Sequence, residues 1–261
     1  MRIALGVEYD GSQFFGWQRQ IDGNTIQQNL EQAISKVADT EIIVQAAGRT
    51  DAGVHATEQI LHFDYECQRD MKAWVMGVNT HLPHAISVLW AQEMQDDFHA
   101  RFAAESRRYR YIILNRNTRP ALMHKKVTWV FHDLNVANMQ QAALSLVGRH
   151  DFTSYRALAC QAKSPLRTVH QIKLVQRNQF ILMDIHADGF LHHMVRNIAG
   201  VLISIGKGEQ EISWSKKVLQ QKDRSLGGVT APAGGLYLVK VHYADKYNLN
   251  TAIRWPVNLL D

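Results

Sequence analysis

A chain of 261 residues, 46% hydrophobic and 20% charged, is long enough for one large domain or two modest ones with separate cores, and nothing in it reads as disordered. Its formal net charge of +5 favours polyanionic partners without requiring one. Its two cysteines, Cys67 and Cys160, have no CxxC spacing, which argues against a zinc ribbon or thioredoxin-like site and fits free thiols in a reducing cytosol.

The first residues, Met1 to Glu8, are too short in apolar length for a signal peptide. No stretch reaches the roughly 18 apolar residues of a membrane span. A cytoplasmic protein that does not cross a membrane is expected.

In chain order, Arg2 to Tyr9 alternates, with Ile3, Leu5, Val7 and Tyr9 on one face, as a half-buried strand does. Asp10-Gly11-Ser12 ends it. Thr25 to Val37 predicts a helix whose stripe is Ile26, Leu30, Ala33, Ile34 and Val37, opened by a Thr25–Gln28 capping box. A short strand follows over Glu41 to Ala46, then a loop from Gly48 to Gly53, then a strand near Glu58 to Tyr65. A helix over about Asp70 to Thr80 turns Met71, Trp74, Val75 and Val78 inward. A strand near Ile86 to Met94 completes a β-α-β-β-α-β order.

The second half repeats that order. It has a long strand over Ser106 to Leu114 and a helix over about Asn135 to Val147, with Val136, Met139, Ala143, Leu144 and Val147 inward. Strands near Thr168 to Val175 and Gln179 to His186 precede an apolar helix from about Leu191 to Ile205. An inserted helix, about Ser213 to Lys222, and a closing strand, Leu236 to Tyr243, follow. The expected fold is α+β: two ferredoxin-like halves with a largely antiparallel sheet, residues 1–105 and 106–261.

One loop carries chemistry-bearing residues. Gly48-Arg49-Thr50-Asp51-Ala52-Gly53-Val54-His55-Ala56 lies between two predicted strands, where reactive groups are commonly displayed. Its glycines admit close backbone approach. Arg49 beside Asp51 favours an ionised carboxylate, suited to a nucleophile or base. The same residues also suit an ordinary turn with an Arg–Asp ion pair.

That segment resembles the signature loop of the TruA family of tRNA pseudouridine synthases. Further blocks resemble the family in order along nearly the whole chain: Glu8-Tyr9-Asp10-Gly11 with Phe15-Gly16-Trp17-Gln18, Asp97 to Phe102, Arg107 to Tyr111, His150 to Tyr155, His192 to Asn197, and Gly235 to Leu238. The resemblance implies a pseudouridine synthase fold, with the catalytic loop in the first half and a tRNA-binding cleft completed by the second. It implies isomerisation of uridine at positions 38, 39 and 40 of the tRNA anticodon stem-loop, with Asp51 as the catalytic carboxylate. No cofactor and no metal are implied, in keeping with the lack of a phosphate-binding glycine motif or a metal-ligand set.

By the same resemblance Arg49 assists base flipping, Tyr109 stacks on the target base, and Leu236 closes the pocket. Phe98, His99, Ala100, Arg101 and Phe102 form one RNA-contacting stretch, with Arg101 on phosphate or the flipped nucleotide. Ala159, Cys160, Gln161, Ala162 and Lys163 form a second. A homodimer is implied. His192 and His193, about 100° apart on a helix, read as structural or tRNA-facing. Along the strand, Tyr109 and Tyr111 should face one way and Arg108 and Arg110 the other, giving one aromatic and one positive face. Two other readings stand beside this one: a non-catalytic RNA-binding protein with two ferredoxin-like modules, and a hydrolase pairing Asp51 with His55 and Glu58.

Overall fold

The computed structural model describes residues 1–66, 69–249 and 252–256. The chain forms two compact units. One joins Met1–Ser106 to Tyr237–Pro256, and the other comprises Arg107–Leu236. Among the described residues no helix is long and apolar enough to cross a membrane.

The first unit runs β1 (Arg2–Tyr9), α1 (Ile26–Ala38), β2 (Gln45–Ala46), β3 (His55–Asp64), α2 (Met71–His81) and β4 (Ile86–Met94). β1 is central, antiparallel to β4 on one side and β3 on the other, and β2 pairs beyond β3. The order β4-β1-β3-β2 is that of a ferredoxin-like unit, which two crossovers of the same hand produce.

Helix α1 starts where Thr25 Oγ1 accepts the Gln28 N–H and ends at left-handed Asp39. Ile26, Leu30, Ala33 and Ile34 are buried as the periodicity predicts, and Val37 is half-buried. In α2, Trp74 and Val78 are buried, while Met71 and Val75 are half-buried.

Two strand limits differ from expectation, each for a physical reason. The strand expected over Glu41 to Ala46 shrinks to Gln45–Ala46 because side chains of α1 take over its backbone donors. Val44 N–H donates to buried Glu31 Oε1 (3.1 Å), and Ile42 N–H to Ser35 Oγ (2.8 Å). β3 begins at His55, three residues before the predicted Glu58. Its first residues are polar yet buried, so alternation hides them, and they pair in parallel with a later strand, Tyr237↔His55 and Leu238↔Ala56.

The second unit runs β5 (Ala104–Asn115, beginning within the first unit), β6 (Thr128–Val130), α3 (Val136–Leu144), β7 (Gly148–Asp151), β8 (Leu166–Arg177), β9 (Phe180–Ala187), α4 (Met194–Gly206) and α5 (Trp214–Gln221). Strands β5, β9, β8 and β7 pair antiparallel in that order, and β6 adds in parallel to β5. β10 (Leu236–Tyr243) follows, and from Tyr237 onward it belongs to the first unit.

Helix α3 stops at Leu144, which is 60% exposed rather than inward. The buried stripe is Met139, Ala142, Ala143 and Leu146. Leu144 lies roughly 140° around the axis from Met139, off that stripe. β6 and β7, three and four residues long, were not predicted as strands; each exists through its pairing partner.

Candidate active site

The loop between β2 and β3 is fixed through its backbone. Trp17 N–H donates to Thr50 O (3.0 Å), Gly53 N–H to Phe14 O (3.3 Å), and Val54 N–H to Asp51 O (3.1 Å). Gly53, at φ +79°, supplies the positive φ that the third residue of this Asp51–Val54 turn adopts. Gln59 Nε2 holds Gly48 O (2.7 Å), and the Tyr9 hydroxyl meets Thr50 Oγ1 at 2.8 Å. The Phe14–Trp17 segment is in turn seated on the start of α1, where Ile26 N–H donates to Gly16 O (3.1 Å) and Gln27 N–H to Trp17 O (3.0 Å). Sheet, helix and turn thus converge on one backbone.

Asp51 is half-buried on this loop and Arg49 is exposed. The Arg49–Asp51 ion pair open from the sequence is not formed: the Arg49 guanidinium makes no ion pair or hydrogen bond among the described residues. A guanidinium left in water beside a carboxylate can meet an incoming phosphate without first breaking a salt bridge.

His55 and Glu58 do not share that access. His55 is 1% exposed, its ring stacked on Tyr237 (centroids 4.6 Å), with Nδ1 3.0 Å from Gly11 N and 3.1 Å from an Asp10 carboxylate oxygen. Glu58 is fully buried and accepts from Trp90 Nε1 (2.9 Å). Both side chains are buried in β3 and engaged by these partners, which is the work of a sheet rather than of an exposed acid or base.

Residues 98–102 form a pinned turn. Arg2 donates to Phe98 O (2.8 Å) while pairing with Asp64, and Tyr243 Oη donates to Ala100 O (2.7 Å). Phe98 and Ala100 are fully buried, so their side chains face the core. His99 is half-buried, and Arg101 and Phe102 are exposed, the guanidinium 5.6 Å from the Phe102 ring centroid. Beneath them His62 Nδ1 accepts from Ala100 N (3.2 Å), so this nitrogen is unprotonated.

Burial, then the neighbouring His99 ring and the positive Arg2, lower the His62 pKa from 6.5 to about 4. A base whose folded pKa lies below its unfolded value binds protons more readily when unfolded, so its contribution is present above 6.5 and lost as pH falls toward 4. Asp64, held below the ordinary carboxylate range by its Arg2 hydrogen bond, titrates lower still. The melting temperature is therefore expected to drop as pH falls between about 6.5 and 4, and His62→Gln to flatten that slope. An equally steep decline in the variant would place the proton uptake elsewhere.

In the second unit Tyr109 is 8% exposed, braced edge-on by Phe190 at 5.1 Å between centroids. Tyr111 is fully buried: its hydroxyl donates to Pro232 O (2.8 Å) and bonds Thr128 Oγ1. The expected positive face of β5 is already engaged. Arg110 is 4% exposed and binds Asp184 on β9 through two 2.7 Å hydrogen bonds, and half-buried Arg108 reaches toward Gln171. The alternation itself holds, but the sequence could not show that the facing strand supplies a carboxylate in register at Asp184.

Leu236 is 5% exposed. In the 159–163 loop Ala159, Gln161 and Lys163 are exposed, and Cys160 and Ala162 half-buried. His192 and His193 lie just before α4 rather than on it, so the helical 100° separation does not apply: His193 is in the left-handed region (φ +62°), and the two rings sit 4.0 Å apart, tilted by 46°. Asn197, buried on α4, is a structural hub: Nδ2 donates to Tyr155 O (2.8 Å), and Oδ1 accepts from Thr230 (2.7 Å) and Arg224 (3.1 Å).

Sequence reasoning assigned no supporting role to Arg2, Tyr9, Thr50 or His62, which hold the two candidate stretches in place. The signal for Tyr9 was its place in the first resembling block; Arg2 and His62 left none.

Unit by unit, a ferredoxin-like sheet presents a carboxylate on a braced loop, in an α+β protein of pseudouridine synthase type. The family model for tRNA pseudouridine synthase matches residues 6–103 and 142–244, and the chain belongs to that family, whose reaction is an isomerisation of uridine in tRNA. Relatives named tRNA pseudouridine synthase A are similar throughout. One from Alcanivorax borkumensis is 53% identical across 100% of this chain and 98% of its own. Another from Nitrosococcus oceani is 55% identical across 95% and 96%. A third from Shewanella amazonensis is 52% identical across the whole of both. A solved Cbf5-Nop10-Gar1 complex aligns with a TM-score of 0.37 at 10% identity, covering 90% of this chain and 48% of that one, a likeness too weak to bear on the fold.

Proposed function

We propose that this enzyme converts uridine to pseudouridine at positions 38, 39 and 40 of the tRNA anticodon stem-loop, with Asp51 as the catalytic carboxylate. The observation that carries the reading is the half-buried Asp51 on a loop clamped from three sides, with Arg49 beside it exposed and in no ion pair among the described residues. The N1–C1′ bond breaks, the base turns, and a C5–C1′ bond forms. N1 gains a proton and C5 gives one up, so the reaction balances without oxidant, water or metal. An ionised carboxylate serves it as nucleophile or base.

A stacked base must first leave the helix, at a cost of a few kcal/mol. Arg49 takes a phosphate or the vacated space, Tyr109 supplies a braced ring for stacking, and Leu236 an apolar wall. Arg101 and Phe102 contact RNA directly, His99 sits behind them, and buried Phe98 and Ala100 support the turn from within. The 159–163 loop adds Lys163. The protein acts in the cytoplasm as a homodimer.

Tritium release from an unmodified tRNA transcript labelled at uridine C5 tests the reading. Release with pseudouridine mapped to the three anticodon-stem positions is expected. Tight tRNA binding with no release would favour the RNA-binding alternative.

A further inference from the structure

The turn that displays Arg101 has an unusual cap. His99 Nδ1 accepts backbone N–H groups from both Arg101 (3.1 Å) and Phe102 (3.3 Å), while His99 O accepts from Ala103 N–H (2.9 Å). Asp and Asn side chains commonly close such turns; here an imidazole nitrogen does so. The His99 ring is fixed edge-on against His62 (4.7 Å) and tilted against Phe102 (4.3 Å). An acceptor that takes two N–H groups must be unprotonated. Burial first, then the positive charge of Arg2, lower its pKa below the ordinary histidine value.

We propose that His99 is a positioning residue for tRNA binding: its neutral imidazole caps the turn that aims the Arg101 guanidinium and the Phe102 ring at RNA. The proposal rests on the reading of Arg101 as an RNA contact. Protonating Nδ1 replaces two accepted hydrogen bonds with an N–H facing two N–H donors, so the cap opens. The charged and titratable groups acting on the ring are Arg2 on β1, His62 on β3 and Arg101 on the turn itself, with Asp64 paired to Arg2 and acting on His62. Were His99 merely a source of positive charge, acidification would tighten RNA binding. The cap predicts the opposite sign.

An asparagine places Oδ1 near the position of Nδ1 and does not protonate. The full-length protein is compared as wild type, His99→Asn, His99→Ala, Arg101→Ala and the double variant, with an unmodified tRNA transcript at about pH 8 and below the ordinary histidine pKa of about 6.5. At the higher pH, His99→Asn should bind within about twofold of wild type, and His99→Ala about fivefold to tenfold more weakly, comparable to Arg101→Ala. Losses in the double variant should not add. On acidification the wild type should weaken relative to His99→Asn. KM should carry these changes, with kcat nearly constant.

His99→Ala matching wild type while Arg101→Ala weakens binding would overturn the proposal. So would additive losses, or His99→Asn tracking the wild type at both pH values. If Arg101→Ala changes nothing, it is the RNA-contact reading that fails. Should His99→Ala not fold, the pH comparison of wild type with His99→Asn still decides.

Discussion

Asp51→Asn is expected to slow tritium release by about 10⁴-fold or more, on the order of 5.5 kcal/mol of transition-state stabilisation, while tRNA still binds within a few-fold of wild type. The substitution keeps shape and removes the ionised oxygen. The contacts that shape the loop survive it: Asp51 takes part in the turn through its carbonyl, which accepts from Val54 N–H, and the neighbouring anchors belong to Thr50, Gly53 and Gly48. Stability should stay within about 0.5 kcal/mol, as for a near-isosteric replacement at a half-buried loop position. Single-turnover rates, tRNA affinity and melting temperature, measured together, separate the possibilities. A fallen melting temperature with weak binding would make Asp51 structural. Retained turnover would assign the chemistry to another group and leave Asp51 as a turn residue.

Much of the fold was legible because its core follows simple periods. The limits of β1 and the stripe of α1 emerge from apolar alternation and helical spacing. What escaped was tertiary in origin. No local pattern announces that Glu31 will accept the N–H of Val44, or that Asp184 will stand opposite Arg110. The polar start of β3 is a strand because a segment some 180 residues later pairs with it (Tyr237↔His55), and only the folded chain supplies that partner.

The candidate site divides in the same way. The groups proposed to act on RNA stood out as Arg49, Asp51 and Arg101, polar residues in short, recognisable strings. Their supports did not, because Arg2, His62 and Gln59 act across the sheet and belong to no motif. Two blocks that resembled the family without evident chemistry now have physical work assigned to them. Tyr9-Asp10-Gly11 and Phe15-Gly16-Trp17 are the bed on which the loop lies: Tyr9 bonds Thr50, and Trp17 N–H holds the Thr50 carbonyl.

That bed predicts a large effect from a single methyl group. Gly16 has φ +88°, a region that side chains rarely adopt, and a Cβ there would sit 2.8 Å from Thr50 O and 3.0 Å from both Asp51 C and Ala52 N. Gly16→Ala should cost about 1–3 kcal/mol, the backbone strain and the overlap acting together. The atoms it meets are main chain, which cannot rotate aside, so the displacement must pass to Asp51. A misplacement of about 1 Å costs roughly 100-fold in rate where geometry carries catalysis. Turnover should therefore fall further than the melting temperature alone explains, while tRNA affinity changes little. Gly48→Ala is the control for stability. Gly48 lies in the loop itself, yet nothing stands within 4 Å of the position of its Cβ, so its melting temperature should match wild type. If both variants melt alike and Gly16→Ala turns over normally, the loop is not held by this contact, and Asp51 must owe its placement to the turn at Gly53 and the strand below.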